Sequence, residues 1–222
     1  MKTKKQKLIL FDMDGTLIDS VGTIAYHFIK ALDDMNIKHN LTQKFIADYL
    51  EIPFEELNVM FNLNMSHKTF HEFIEKYRYN YLSSPLNGTK VFPGVHETLK
   101  TLRERNYLLS IATGKHIDST TVITENLKLT PYFHHVQGWE VELKPKPEPD
   151  ILLQAIKKLK VPVENCIMVG DTHVDILAGK ALKIPTVAAT YGFGKLESLK
   201  KTDPDFFINS ISELINIMEK IK

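Results

Sequence analysis

The sequence predicts an α/β fold, a doubly wound parallel sheet (Rossmann-like) with an inserted small helical domain. Three observations predict it. The apolar run Leu8–Phe11 stops abruptly at polar residues, as a buried strand does where it opens into a loop. After about residue 88, apolar strand-like runs alternate with amphipathic helical stretches, a pattern typical of βαβ units. Between these two parts, residues 19–87 carry helical patterns with few β-rich runs.

The elements of the sheet domain follow in order along the chain. After Leu8–Phe11, the predicted strands are Tyr107–Ala112, Phe133–Gln137, Cys166–Val169 and Thr186–Ala189. The predicted helices are Val95–Arg105, Ser119–Leu127, Pro149–Leu159, Val174–Leu182 and Ile211–Ile221. Such alternation predicts parallel strands joined by right-handed crossovers. The carboxyl ends of the strands then share one edge of the sheet, which is where ligands bind in open α/β folds.

The inserted region has its own succession of helices. They are predicted at Val21–Met35, Thr42–Leu50, Glu55–Phe61 and Lys68–Leu82, and the turn-rich segment Ser83–Gly88 leads back to the sheet domain. A helical segment of this length inside an α/β domain is typical of an inserted cap. We therefore predict an α/β core from residues 1–18 and 88–222, and a helical cap from residues 19–87.

Composition excludes several classes of protein. The chain has 222 residues, and its 28 Lys and Arg nearly balance 27 Asp and Glu, so a large basic surface for nucleic acid is not expected. Cys166 is the only cysteine, which excludes an intramolecular disulfide and a zinc site built on cysteines. No apolar run is long enough for a secretory signal or a membrane span. We predict a cytoplasmic protein without a membrane partner; the oligomeric state stays open.

Polar clusters follow four of the predicted strands. They are Asp12 and Asp14 after the first strand, Thr113 and Gly114 after the second, Lys144-Pro145-Lys146-Pro147 after the third, and Asp171 with Asp175 after the fourth. Each cluster alone also fits a turn, a helix cap or a surface charge. Their order on successive strands instead favours one shared site. Neighbouring carboxylates repel each other unless a cation intervenes, and Mg²⁺ prefers such oxygen ligands.

This set of groups suits the transfer of a phosphoryl group. A metal and a lysine offset the phosphate charge, one carboxylate attacks phosphorus and another handles protons. The hydroxyl of Thr113 can donate to a phosphate oxygen, and Gly114 lets its backbone N–H approach the same group because it has no side chain.

These motifs resemble those of the haloacid dehalogenase (HAD) superfamily of phosphohydrolases. The first motif is matched by Asp12-Met13-Asp14-Gly15-Thr16-Leu17, the second by Thr113, the third by Lys144 in Lys-Pro-Lys-Pro, and the fourth by Gly170-Asp171-Thr172 with Asp175. The stretches Met168–Ala181 and Thr190–Gly194 are similar to phosphoglycolate phosphatases. The resemblance covers essentially the whole chain and implies the branch with a small helical cap after the first motif.

The resemblance implies a two-step hydrolysis of a small phosphomonoester. Asp12 would attack phosphorus and form an aspartyl-phosphate, while Asp14 would protonate the leaving oxygen and then activate water. Mg²⁺ would be held by Asp12, the backbone carbonyl of Asp14 and Asp171.

The remaining motif residues would support this reaction. Thr113, Gly114 and Lys144 would hold the phosphoryl oxygens. Asp175 would act through water or by orienting Lys144. Lys146 competes for the lysine role, but Lys144 has the family's position before Pro-x-Pro.

The substrate is less well specified than the reaction. Phosphoglycolate, pyrophosphate, sugar phosphates and nucleoside monophosphates all fit the chemistry. Many related phosphatases carry glycine at or near Glu51, and an acidic residue facing the site there would repel a second negative charge on the substrate. A solvent-facing Glu51 is an equal alternative. A catalytically silent binding or regulatory protein is the contrasting hypothesis, although such a protein need not keep every catalytic group.

Overall fold

The computed structural model describes residues 6–50, 52 and 54–221, and within them the chain forms two compact units. One unit comprises the described residues of Met1–Asp19 and Val91–Lys222, and the other those of Ser20–Lys90. The chain thus passes between the units at residues 19–20 and 90–91, within three residues of the predicted boundaries at 18–19 and 87–88. Glu51, whose role was left open above, lies outside the described residues.

The described residues of the two units form eight strands and ten α-helices. The strands of the described chain are β1 (Leu8–Phe11), β2 (Ile18–Asp19), β3 (Lys90–Val91), β4 (Leu108–His116), β5 (His135–Trp139), β6 (Cys166–Gly170), β7 (Thr186–Ala189) and β8 (Phe206–Ile208). The helices are α1 (Val21–Asp34), α2 (Gln43–Ala47), α3 (Phe54–Met60), α4 (His67–Ser83), α5 (Val95–Glu104), α6 (Ile117–Asn126), α7 (Asp150–Leu159), α8 (His173–Ala181), α9 (Leu196–Lys201) and α10 (Leu214–Lys220). No described helix is both long and apolar enough to cross a bilayer.

The predicted doubly wound parallel sheet is confirmed. Among the described residues, six parallel strands lie in the order β5-β4-β1-β6-β7-β8. The chain runs from β1 to one edge of the sheet and then crosses back to build the other half from β6 onward. The order therefore reverses beside β1, and the carboxyl ends of β1 and β6 flank the crevice where such sheets bind ligands.

β1 is a strand because both of its faces are covered. All four residues of Leu8–Phe11 are fully buried, and burying each such side chain contributes about 1.5–3 kcal/mol. Leu8 and Leu10 pack in one cluster with residues of α7 and with Met168 of β6. The register pairs Phe11 with Ile111 of β4 and with Val169 of β6. Residues just after these positions consequently emerge side by side at the carboxyl edge.

The boundaries of several elements differ from the prediction. β5 begins at His135, two residues after the predicted start at Phe133, because a 3-10 turn at Thr130–Tyr132 precedes it. The short elements β8 and α9 carried no strong periodicity and were not predicted. The predicted helix Ile211–Ile221 begins with a 3-10 turn at Ile211–Glu213 before α10.

The second unit has a hydrophobic core of its own. Phe28 of α1 meets the rings of Phe54 and Phe73 edge-on, each at a centroid distance of 5.0 Å. The cluster also includes Ala25 and Leu32 of α1, Ile46 of α2 and Leu57 of α3. Edge-to-face aromatic pairs add to the stabilisation that burial provides. Apart from Lys90 of β3, the regular secondary structure that the described residues of this unit form is helical. Its function as a cap stays a prediction.

Candidate active site

Asp12 and Asp14 follow β1 directly, at the carboxyl edge of the sheet. The backbone N–H of Asp12 donates to the carbonyl of Val169 at 2.9 Å, so Asp12 extends the pairing with β6 by one residue. The chain then turns at Gly15, whose φ of +83° suits glycine. The Asp12 carboxylate is buried in this position, whereas the side chain of Asp14 keeps 15% of its surface exposed.

The lysine that reaches Asp12 is Lys146 and not Lys144, which the sequence had favoured for this place. The ammonium of Lys146 lies 2.6 Å from Asp12 Oδ1 and 2.5 Å from Asp175 Oδ1, and it donates to the carbonyl of Ala112 at 3.1 Å. The Lys146 side chain is 5% exposed. Lys144 instead lies on the surface, where its backbone N–H donates to Asp150 Oδ1 at 3.4 Å.

The segment between β5 and α7 decides which lysine points inward. The indole N–H of Trp139 donates to the carbonyl of Leu143 at 2.8 Å, which fixes the first part of this segment. Residues in it have neither the period of a helix nor that of a strand. Sequence position relative to the prolines therefore does not predict the direction of each side chain, and only the folded path of the backbone shows that Lys146 turns toward Asp12.

Asp175 has two partners that explain its position. Its Oδ2 accepts from the backbone N–H and the hydroxyl of Thr172, at 3.0 and 2.6 Å, and thereby closes a capping box at the start of α8. Its Oδ1 faces Lys146. Asp175 is thus a first-turn carboxylate of its helix, and it also forms an ion pair with Lys146.

Asp171 lies at the end of β6 and is fully buried. Its Oδ1 accepts from the hydroxyl of Thr16 at 2.9 Å, and its Oδ2 accepts from the backbone N–H of Phe193 at 2.8 Å. The hydroxyl of Tyr191 donates to the carbonyl of Thr16 at 2.8 Å. The segment after β7 therefore holds both Asp171 and the turn that follows Asp12.

Burial sets the protonation of these groups. It raises the pKa of Asp12 to about 7, and the charges of Asp175 and Asp14 add to this, although Lys146 acts against it. Burial, together with the charges of Asp175 and Asp12, also raises the pKa of Asp171 well above its ordinary value. Burial alone would lower the pKa of Lys146, but Asp12 and Asp175 raise it, so the ammonium stays charged.

The acidic cluster fits a divalent cation. Asp12, Asp171 and Asp175 are buried and each offers an oxygen within 4.8 Å of the others. Lys146 supplies one positive charge against these three carboxylates, so a buried negative charge is left over, which a cation or protons must offset. Carboxylate oxygens are the ligands that Mg²⁺ prefers. The structure does not bring the carboxylate of Asp14 into this cluster.

Thr113 and Gly114 lie one strand away, near the end of β4. The register that pairs Phe11 with Ile111 puts Thr113 beside the residues that follow β1. The Thr113 side chain is buried, and its hydroxyl oxygen accepts from the backbone N–H of Lys115 at 3.3 Å. Gly114 is exposed, and no atom lies within 4 Å of where its Cβ would be. The space that a side chain would occupy at Gly114 is thus free of other described parts of the chain.

The sequence analysis assigned no role to three side chains that contact the motif residues. They are Thr16, which binds Asp171, Tyr191, which binds the backbone of Thr16, and Lys115, whose ammonium lies 3.2 Å from Asp14 Oδ2. Thr16 is part of the first motif and Lys115 stands two positions after Thr113, which is a usable signal. Tyr191 is 175 residues from Thr16 along the chain, and no local pattern predicts that contact.

The substitution Gly192→Ala is expected to destabilise the site. A Cβ at Gly192 would lie 2.4 Å from Asp171 Cβ and from the carbonyl oxygen of Gly15. Overpacking of this kind costs about 1–3 kcal/mol, and we expect that loss in the free energy of urea unfolding. Gly22→Ala in α1 is the control, since no described atom beyond its chain neighbours and the adjacent helix backbone lies within 4 Å of its Cβ, and alanine favours a helix by up to about 1 kcal/mol. Equal effects of the two substitutions would contradict the close packing at Gly192.

Known proteins resemble this chain along nearly its whole length. The family model for haloacid dehalogenase-like hydrolases matches residues 9–189. A phosphoglycolate phosphatase of Aquifex aeolicus is 31% identical over 217 residues, covering 96% of this chain and 97% of the relative. The pyrophosphatase PpaX of Oceanobacillus iheyensis is 28% identical over 212 residues, with 96% of each chain covered. A crystal structure of a predicted phosphatase from Clostridium acetobutylicum superimposes with a TM-score of 0.86 at 26% identity, over 98% of this chain and 100% of that one.

Proposed function

Since the chain belongs to the haloacid dehalogenase-like hydrolase family, we propose that it is a Mg²⁺-dependent phosphatase that hydrolyses a small phosphomonoester through an aspartyl-phosphate. One observation carries the proposal: the buried carboxylate of Asp12 lies against the Lys146 ammonium and within one acidic cluster with Asp171. In this arrangement Asp12 would be the nucleophile, Lys146 the cation for the phosphoryl group, and the carboxylates donors for a metal. The family and the relatives named as phosphatases support the reaction class.

In the first step, a carboxylate oxygen of Asp12 attacks phosphorus and the bond between phosphorus and the ester oxygen breaks. Asp14 gives its proton to the leaving oxygen, so the alcohol departs neutral at that atom. In the second step Asp14 takes a proton from water, whose oxygen attacks phosphorus and displaces Asp12. The position of Asp14, two residues beyond the nucleophile in the same turn, supports this division of roles.

Lys146, Thr113 and Gly114 would hold the transferred phosphoryl oxygens. Lys146 is charged and nearly buried, so its attraction to phosphate is weakly screened by water. The hydroxyl of Thr113 and the backbone N–H of Gly114, a residue without a side chain, belong to the neighbouring strand. Preorganised donors of this kind stabilise the charge that develops on the equatorial oxygens. Asp175 positions Lys146 and does not itself need to touch the substrate.

The metal would be held by Asp12, Asp171 and the backbone carbonyl of Asp14. When bound, Mg²⁺ would supply positive charge that offsets the carboxylates and the phosphate oxygens. Thr16 and the N–H of Phe193 fix the orientation of Asp171, as partners of metal ligands commonly do. Asp175 would serve Lys146 and Thr172, its hydrogen-bond partners, instead of the metal.

Added Mg²⁺ is expected to raise the melting temperature more at pH 8 than at pH 5. The pKa of Asp12 is raised from 3.8 to about 7, so the folded protein without metal keeps a proton there that the unfolded chain releases. That contribution to stability is complete below about pH 3.8 and is lost as the pH rises through about 7. A cation competes with this proton. At a hundred times its Kd it adds about 2.7 kcal/mol, or roughly 5–10 °C for a chain of this size.

This prediction is checked by differential scanning fluorimetry after treatment with EDTA, with Asp171→Asn as the comparison. The shift should be larger at pH 8 and absent in the variant. An equal shift at both pH values, or the same shift in Asp171→Asn, would place the cation somewhere else.

The substrate is tested with a panel of esters. Phosphate release is measured from phosphoglycolate, pyrophosphate, sugar phosphates and nucleoside monophosphates, with Mg²⁺ and with EDTA. Phosphoglycolate is the first to try, and inorganic pyrophosphate the second, because relatives of similar coverage are named for each. One substrate hydrolysed far better than the others, and only with Mg²⁺, is the expected result. No release from any of them would favour a binding or regulatory protein.

The sequence alone supports three further parts of the proposal: a cytoplasmic location, the absence of nucleic acid as a partner, and a capping role of the helical unit. The near balance of acidic and basic residues supports the second.

A further inference from the structure

A second lysine stands beside the proposed general acid. The ammonium of Lys115 lies 3.2 Å from Asp14 Oδ2, and only 10% of the Lys115 side chain and 15% of the Asp14 side chain are exposed. Lys115 is on β4, two residues after Thr113. β4 therefore carries both the proposed hydrogen-bond donors to the phosphoryl group, Thr113 and Gly114, and a lysine that pairs with Asp14.

The backbone at Lys115 is held firmly. Its carbonyl accepts from the hydroxyl of Thr120 at 3.2 Å, and its N–H donates to Thr113 at 3.3 Å. A Cβ at Gly138 of β5 would lie 2.8 Å from the same carbonyl oxygen, so the two strands approach closely here. These contacts fix the backbone position of Lys115. A cation that is held in place before binding loses less entropy when it binds an anion.

The location of Lys115 matters because of what Asp14 must do. A general acid has to come within hydrogen-bond distance of the oxygen that it protonates. The Lys115 ammonium forms an ion pair with Asp14. When Asp14 is within hydrogen-bond distance of the ester oxygen of a bound substrate, Lys115 is therefore close to the leaving group attached to that oxygen. Lys146 lies with Asp12 and Asp175 instead. The two lysines therefore serve different parts of a bound ester, Lys146 the transferred phosphoryl group and Lys115 the leaving group.

We propose that Lys115 selects esters whose leaving group carries its own negative charge close to the ester oxygen. This inference rests on the proposed function and narrows its substrate class. Such a substrate brings two anionic groups into a region that already contains Asp12, Asp14, Asp171 and Asp175, and the charge of a single lysine beside the phosphoryl group does not compensate both. A nearly buried ammonium forms strong charge-assisted hydrogen bonds with a carboxylate or a second phosphate. Phosphoglycolate belongs to this class, and the anhydride pyrophosphate shares its anionic leaving group.

The test compares two esters that differ in the charge of the leaving group. Phosphoglycolate releases an anionic alcohol, and 2-hydroxyethyl phosphate releases a neutral one of the same chain length. We measure kcat/KM for both with the native protein, Lys115→Met and Lys115→Arg. The exposed Lys100→Met on α5 is the matched control for loss of one positive charge.

The ratio of kcat/KM for phosphoglycolate over the neutral ester should fall roughly 10- to 100-fold in Lys115→Met, as expected for the loss of one charge-assisted hydrogen bond. Lys115→Arg should restore much of it, and Lys100→Met should leave the ratio unchanged. If both esters lose activity in parallel in Lys115→Met, the lysine only positions Asp14 and the inference fails. An unchanged ratio and unchanged rates also overturn it.

Calorimetry keeps the test independent of turnover. The affinity for phosphoglycolate and for 2-hydroxyethyl phosphate is measured with Mg²⁺ in Asp12→Asn, with and without Lys115→Met. Weaker binding of phosphoglycolate alone in the double variant supports the inference even if the native protein hydrolyses neither ester, a result that would refute only the proposed function. Equal affinities with and without Lys115 would refute the inference itself.

Discussion

Replacing Asp12 by asparagine is expected to abolish phosphate release, with a loss of at least about 10³-fold in kcat. The amide of asparagine is a poor nucleophile, so the covalent step cannot proceed, while its size lets it fill the same buried space. The measurement is single-turnover phosphate release from the best substrate of the panel, with circular dichroism to show that the fold is kept.

The matched control is Asp203→Asn in the same unit. The side chain of Asp203 is 99% exposed and lies 3.5 Å from Lys180, an arrangement that contributes little to stability. This variant should keep at least half of the native activity. If Asp12→Asn kept comparable activity, a carboxylate nucleophile at this position would be excluded and the aspartyl-phosphate route with it.

Lys146→Met is expected to lower kcat/KM by roughly 10²–10³-fold, the usual cost of removing one donor to the reacting charge. The same substitution at Lys144 should change it less than about twofold, because Lys144 is exposed and its backbone alone contacts Asp150. The pair is closely matched, since the two lysines differ by two positions and receive the same new residue.

Stability gives a second readout for this pair. Removing Lys146 leaves Asp12 and Asp175 buried without its ammonium, and breaking a buried ion pair costs about 3–5 kcal/mol. Lys146→Met should therefore unfold at a lower urea concentration than Lys144→Met. Lys146→Arg keeps the positive charge. It therefore serves as a second variant in case Lys146→Met does not fold. A large loss of activity in Lys144→Met with little change in Lys146→Met would restore the original assignment.

The strongest agreement between sequence and structure concerns the sheet. Leu8–Phe11 had the same bounds in the prediction and in the structure, and the alternation after it predicted the parallel order. Strands buried on both faces must be apolar along their length, so the signal was strong. β8 and α9 are too short to carry a period, and their presence follows from packing against β7 and α8 rather than from local pattern.

Part of the site could likewise be predicted from the sequence. Asp12 and Asp171 come directly after buried strands, so a parallel sheet with these strands as neighbours had to bring them together. The short separation between Asp171 and Asp175 likewise puts the latter in the first turn of α8. For these residues the order of the strands and one helical turn suffice to determine the neighbourhood.

The sequence by itself thus determined the fold class and the carboxylates at the edge of the sheet, because both depend on regular periods and on burial. The tertiary structure alone decided that Lys146 rather than Lys144 reaches Asp12, that Tyr191 holds Thr16, and that Lys115 lies beside Asp14. The physical reason is that an irregular segment has no period from which the direction of a side chain follows. A contact between distant segments depends on the path of the whole backbone.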